Sequence, residues 1–266
     1  MESYEHYKSA YDRDGFVQIT GFLPPEEFEV LAENVARYVR DVAPALPEGD
    51  SFYQEKGKPE TLKQLQHMGT HDPFFAEYAS NERWTALAET LSGEPASTMQ
   101  PEWFNKPPNT VHPTPPHQDN YYFKLDPCNV ASIWVAVDPI DQENGCLRYI
   151  PGSHLSGVRP HGRTDVLGFS QGITDYGPED EAKGVAFSLN PGDALIHHGW
   201  TIHRADPNTS TTRHRQAFAM VFQGESCKEN EEARKDYSEN LQEQHKEFGL
   251  ETSGQVYMDT PGGDAE

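Results

Sequence analysis

The chain has 266 residues, enough for one large domain or two small ones with a sizeable core. Asp and Glu number 43 against 21 Lys and Arg, a formal net charge of −22. Nucleic-acid phosphates and anionic membranes repel such an acid excess, so neither is expected as a partner. The 21 glycines and 21 prolines point to a turn-rich fold. No apolar run resembling a secretory signal opens the chain, and no stretch approaches a membrane span. Cys128, Cys146 and Cys227 lack paired spacing, so the expected setting is reducing and cytoplasmic.

In chain order, residues 4–13 read as a short amphipathic helix and residues 15–20 alternate like a strand. Pro24-Pro25 opens a second helix with Glu26 and Glu27 in its first turn. That helix runs through Leu31, Val35 and Val39 to residue 41, and a polar loop follows to residue 58. Residues 81–91 suit another helix. From residue 97 the pattern changes to short strands at 97–104, 129–137, 146–150, 184–189, 194–198 and 215–223. Asn144-Gly145, Pro151-Gly152 and Pro191-Gly192 punctuate them, which predicts a β-sandwich or barrel. The polar segment 155–183 reads as a lid or binding loop. The last 42 residues hold 12 acids against 4 Lys and Arg, helical first and then tail-like. The expected organisation is one domain over 1–250, with a helical part at 1–96, a β core at 97–224 and a helical extension at 225–250. A flexible acidic tail is expected at 251–266.

The chemistry concentrates in Pro115-Pro116-His117-Gln118-Asp119. In an extended segment, alternate side chains share one face, so His117 and Asp119 can converge on one ion. His203, beyond the strand at 194–198, is the best third donor. Two imidazoles and one carboxylate form the facial triad of non-haem Fe(II) oxygenases, with positions left open on the metal. Fe(II) with two neutral imidazoles and one aspartate carries a net +1, which suits a chelating keto acid. The far carboxylate of such a co-substrate needs a fixed cation, and Arg215 opens a strand whose Ala217 and Ala219 leave room on the same face.

The chain resembles the phytanoyl-CoA dioxygenase family of Fe(II)- and 2-oxoglutarate-dependent oxygenases. The resemblance rests on Phe104-Asn105-Lys106-Pro107-Pro108, His117-Gln118-Asp119-Asn120-Tyr121-Tyr122-Phe123 and Trp134. It continues through Asn144-Gly145-Cys146-Leu147, Pro151-Gly152-Ser153-His154, Pro191-Gly192-Asp193, His203 and Pro207-Asn208 to Arg215-Gln216-Ala217. The fold it implies is a double-stranded β-helix, or cupin-like jelly roll, mainly β with helices packed on one side. It implies that His117, Asp119 and His203 hold Fe(II), that Arg215 grips 2-oxoglutarate and that Trp134 lines that pocket. Two features depart from the pattern. The stretch after His203 is one residue longer, which leaves Arg213 as a rival to Arg215. Ala205 stands where a serine is common.

Related halogenases replace the metal-binding carboxylate, so the retained Asp119 favours hydroxylation. The implied reaction consumes O₂ and 2-oxoglutarate, releases succinate and CO₂, and hydroxylates an unactivated C–H of a small polar metabolite. Gln100, Glu102, Phe104 and Tyr121 are the candidate substrate contacts, and Lys106 is a rim or co-substrate residue. The −22 charge opposes an acyl-CoA thioester, which leaves acyl-CoA hydroxylation as an alternative. A silent metal- and 2-oxoglutarate-binding sensor is the rival from another class. The oligomeric state is left open.

Overall fold

A computed structural model describes residues 3–47, 49–55, 57–164 and 171–235, together with 237 and 239. Helix α1 (Glu5–Asp14) ends on Gly15 at φ 83°, a left-handed cap that glycine adopts without penalty. Strand β1 (Phe16–Ile19) follows, then α2 (Pro25–Arg37), which runs into a π-helical turn at Tyr38–Val42. The stretch expected to be loop holds β2 (Ser51–Tyr53). Beyond it lie β3 (Leu62–Leu65), α3 (Met68–His71) and α4 (Pro73–Tyr78). Asn81 caps α5 (Glu82–Ser92) by accepting from Arg83 N–H.

The β region begins with β4 (Ala96–Lys106) and β5 (Thr114–His117). A one-turn helix, α6 (Asn120–Phe123), precedes β6 (Val130–Ala136) and β7 (Leu147–Tyr149). The hairpin β8 (His161–Arg163) and β9 (Gln171–Ile173) and helix α7 (Pro178–Lys183) occupy the predicted lid segment. Strands β10 (Val185–Ala186), β11 (Ala194–His198), β12 (His203–Ala205) and β13 (Arg215–Gly224) complete the set. Residues 165–170 of the lid segment lie outside the described residues, as do half of the extension predicted at 225–250 and all of the tail at 251–266.

Seven strands form one antiparallel sheet in the order β1-β11-β6-β13-β4-β3-β2. Four form a second, β10-β7-β12-β5. The two open sheets make a jelly roll rather than a closed barrel.

Alternation explains why β6 is buried on both faces. Ala131, Ile133 and Val135 join Ile196, Phe218 and Met220 under the helices, against Leu31, Trp84 and Leu87. Trp134 and Ala136 join Leu195, Ala217 and Ala219 facing Leu147 and Tyr149 of the second sheet. Helices therefore cover one face of the large sheet, and the other closes a cavity with the small sheet.

The sequence motifs outside the triad hold this frame together. Asn144 is fully buried and donates to Pro139 and His214 carbonyls, while Gly145 takes φ 93° beside Asp206 O. Asn208 ties Lys106, Pro107 and Arg213 carbonyls together. Asp193 accepts from Gly21 and Asn190 N–H.

Candidate metal centre and co-substrate pocket

His117 ends β5 and His203 opens the paired strand β12, directly across the ladder from it. Their ring centroids lie 4.1 Å apart. Asp119 Oδ1 is 3.5 Å from His117 Nε2 and 3.4 Å from His203 Nε2. One donor atom from each residue falls within 4.8 Å of the others. The strand stops at His117, and Asp119 has helical φ/ψ at the head of α6. The expectation that strand alternation carries Asp119 to the site therefore fails; the turn into α6 delivers it.

The neighbouring bonds aim these donors. His117 Nδ1 bonds Pro115 O at 2.7 Å, and His203 Nδ1 bonds Thr201 O at 3.0 Å. Each carbonyl takes the Nδ1 proton, which leaves the Nε2 lone pair toward the centre. Asp119 Oδ2 accepts from Ser132 Oγ at 2.7 Å and from His197 Nε2 at 2.9 Å, so Oδ1 faces the two imidazoles. His197 Nδ1 contacts Tyr149 O–H at 3.0 Å. Burial, then the facing His117 and His197, holds His203 well below its usual pKa, which keeps it neutral. Burial raises the Asp119 pKa, but the facing His203 and His197 outweigh that and hold it well below the usual carboxylate range. Two imidazoles and one carboxylate, each with its other polar atom tied back, suit a divalent transition metal.

The same cavity reaches Arg215. Its volume is about 130 Å³, and its wall is mostly apolar, including Phe104, Phe123, Leu147, Ala205 and Val221. Arg215 is 4% exposed, and its Nε has no hydrogen-bond partner among the described residues. Its guanidinium carbon stands 5.3 Å from the centre of the Trp134 ring. Burial pushes its pKa down to about 10. A buried cation with no bonded carboxylate among the described residues is costly, even with Asp138 nearby, and an incoming carboxylate would relieve that cost. Arg213 faces elsewhere: it pairs with Asp141 and Glu143.

Glu102 and Phe104 line the cavity, joined by Gln64, Tyr122 and Ser132. Gln100 does not. Between Pro101 and Thr98, two residues of β4 oppose the single Val221 of β13, and this bulge reverses the facing of every residue upstream. Tyr121 is also outside. It stacks on His161 at 3.9 Å in a neighbouring cavity shared with Lys124 and Tyr237, because α6 replaces the strand parity that would have aimed it inward. Lys106 lies beyond the cavity wall, opposite Arg215 in the ladder, and donates to His112 O. Burial and then the charge of Arg215 push its pKa well down.

The predicted lid segment docks on the metal motif. Gln118, between His117 and Asp119, donates to Gly157 O and accepts from Arg159 N–H. Tyr122 donates to Gln171 O at 2.5 Å. Arg159 pairs with Asp175 and Asp180, Arg148 with Asp206, and His154 with a backbone carbonyl.

Known proteins of similar sequence and shape fit this geometry. The family model described as phytanoyl-CoA dioxygenase (PhyH) matches residues 11–217. The human peroxisomal phytanoyl-CoA dioxygenase is 30% identical over 268 residues, covering 91% of this chain and 76% of that protein. The Arabidopsis thaliana phytanoyl-CoA dioxygenase is 29% identical over 191 residues, covering 66% of each. The solved structure of the epimerase SnoN from nogalamycin biosynthesis, with Fe3+, α-ketoglutarate and nogalamycin RO, superposes with a TM-score of 0.66. It is 25% identical and covers 84% of each chain. EvdO2 from Micromonospora carbonacea var. aurantiaca, complexed with 2-oxoglutarate, gives a TM-score of 0.68 at 24% identity over 86% of this chain and 93% of that one.

Proposed function

Because the chain belongs to the phytanoyl-CoA dioxygenase family and is a 2-oxoglutarate-dependent dioxygenase using iron, we propose that it hydroxylates an unactivated C–H bond of a small polar metabolite. His117, Asp119 and His203 hold Fe(II) in this reading. Arg215 binds the distal carboxylate of 2-oxoglutarate in a bidentate fork, with Trp134 flanking it. Lys106 stands behind the pocket end, opposite Arg215 in the ladder. Glu102 and Phe104, with Tyr122, form the substrate wall.

One observation carries the reading: three convergent, tied-back donors share a cavity with a buried arginine that has no carboxylate partner among the described residues. Bound iron with 2-oxoglutarate supplies the O₂-dependent oxidation, releasing succinate and CO₂. The chain's own residues do the rest. The carbonyls of Pro115 and Thr201 fix the imidazole tautomers, and Ser132 and His197 fix the carboxylate. The apolar wall excludes water, which strengthens every charge contact inside it. Positioning of the target C–H follows from the pocket shape.

A cavity of about 130 Å³ with an acid in its wall, inside a chain of net charge −22, disfavours a polyanionic acyl-CoA. The test is succinate formation that requires iron, 2-oxoglutarate and a polar substrate together. Rapid acyl-CoA turnover with no response to polar metabolites would sink the substrate assignment. Absence of any 2-oxoglutarate turnover in a broad screen would instead favour the sensor.

A further inference from the structure

The cavity has a second polar pole that neither iron nor 2-oxoglutarate uses. Glu102 lies on β4, beside Ala219 in the ladder, and Gln64 projects from the neighbouring β3. Both line the cavity. Gln64 Nε2 donates to Glu102 Oε2 at 3.4 Å, a long bond and the only side-chain bond Glu102 makes among the described residues. Gln64 is 4% exposed, and its Oε1 is buried with no partner. Here, then, a carboxylate with one long bond and an amide oxygen with no donor among the described residues share one patch.

Buried acceptors left without donors cost stability unless a ligand supplies them. No Lys, Arg or His pairs with Glu102 among the described residues, and the surrounding wall is largely apolar and aromatic. Resting on the function proposed above, we propose that Glu102 and Gln64 form the recognition pole for an N–H-bearing cation, a primary ammonium or amidinium group on the substrate. Such a group fits the chemistry in three ways. It neutralises Glu102. It donates to both Glu102 and Gln64 Oε1, which a quaternary ammonium cannot do. It suits the aromatic side chains of Phe104 and Tyr122, which line the same cavity. Burial, opposed only by the Gln64 bond, pushes the Glu102 pKa up to about 8, so a cation beside it restores the charged form. The cavity is thus bipolar. Arg215 takes the anion of the co-substrate and Glu102 takes the cation of the substrate, both from the large sheet, with the proposed metal donors lining the same cavity from β5, β12 and the head of α6.

The experiment uses the Fe(II)- and 2-oxoglutarate-loaded protein without O₂, titrated calorimetrically with benzylammonium, benzyl alcohol and benzyltrimethylammonium. The wild-type protein should prefer benzylammonium over both others by about tenfold or more, the scale of a desolvated charged hydrogen bond. Glu102→Gln should reduce that preference to less than about threefold, Glu102→Asp should keep most of it, and Gln64→Leu should lose part of it. Thermal melting checks that each variant folds. The proposal is overturned if benzylammonium fails to bind, if the three probes bind equally or if the preference survives Glu102→Gln. Loss in Glu102→Gln and Glu102→Asp alike would place the preference elsewhere and overturn it too. Failure of iron or 2-oxoglutarate to load is read separately and sinks the parent function. The Glu102→Gln comparison then decides the cation pole on the unloaded protein, where Asp119 is common to both variants.

Discussion

The two faces of the large sheet are built from the same strands and do opposite work. On the helix-covered face, Phe218 meets Phe75, Tyr78 and Trp84 at ring separations of 5.6–5.7 Å. Apolar groups meet apolar groups there, and shape decides the energy. On the inner face, one residue along in each strand, stand Ser132, Trp134, His197 and Arg215. That face keeps a cavity and, among the described residues, an Arg215 Nε and a Gln64 Oε1 without hydrogen-bond partners, all of which cost stability. Alternation lets a rigid layer hold a strained one within a single strand width. It follows that substitutions on the two faces should separate stability from activity.

Asp119→Asn gives the largest effect and tests the inner face. It keeps the side-chain shape but removes the charge that offsets the metal. Iron-dependent 2-oxoglutarate turnover should fall by more than the ~100-fold typical of changes one step outside a metal's ligands. Melting without iron reads separately what losing the carboxylate's contacts to Ser132 and His197 costs the fold. An Asn variant with near-normal turnover would break the comparison at its centre.

Phe218→Ala is the matching change on the outer face. Losing a buried ring among three others should cost about 3–5 kcal/mol in chemical denaturation. The fraction still folded should bind 2-oxoglutarate normally, because Phe218 does not line the cavity. A large loss of affinity in folded protein would show that the faces are coupled rather than separate.

Arg215→Met should move stability and binding in opposite directions. Loss of a bidentate carboxylate contact should weaken 2-oxoglutarate by about 100-fold, or 2.7 kcal/mol. The unloaded protein should melt higher, since a buried cation with no bonded partner among the described residues is replaced by an apolar side chain. Adding 2-oxoglutarate should raise the wild-type melting temperature and leave the variant's unchanged. A variant that is less stable unloaded would mean that the guanidinium holds the frame rather than waiting for a ligand.

How much of this was legible in the sequence follows the same alternation. It placed Arg215, Ala217 and Ala219 on one face and marked the strands at 194–198 and 215–223 within one residue. It failed wherever the period of two breaks. The bulge in β4 turned Gln100 away, and α6 removed Tyr121 while delivering Asp119 by another route. Gln64 went unseen because β3 is only four residues long and polar on its cavity side. His197, which holds Asp119, belongs to no metal-ligand motif in the sequence. Its parity with Leu195, an inward residue of β11, was the available signal.

Ser132→Ala is the smallest change and the sharpest test of where one face ends and the other begins. Ser132 lies on β6 between Ala131 and Ile133, both of which pack under the helices. Its hydroxyl donates to Asp119 Oδ2 at 2.7 Å, and among the described residues Asp119 keeps only His197 on that oxygen once the hydroxyl is gone. A single remaining donor leaves the carboxylate free to rotate, so Oδ1 is held less firmly toward the metal. Iron affinity should fall by about tenfold, the low end for partners one bond removed from a metal. Stability should change by less than about 1 kcal/mol, because alanine fits the space and both neighbours keep their packing. Iron titration followed by denaturation of the metal-free protein reads both quantities. A stability loss above that, with iron affinity intact, would assign Ser132 to the frame and move the boundary between the faces inward by one layer.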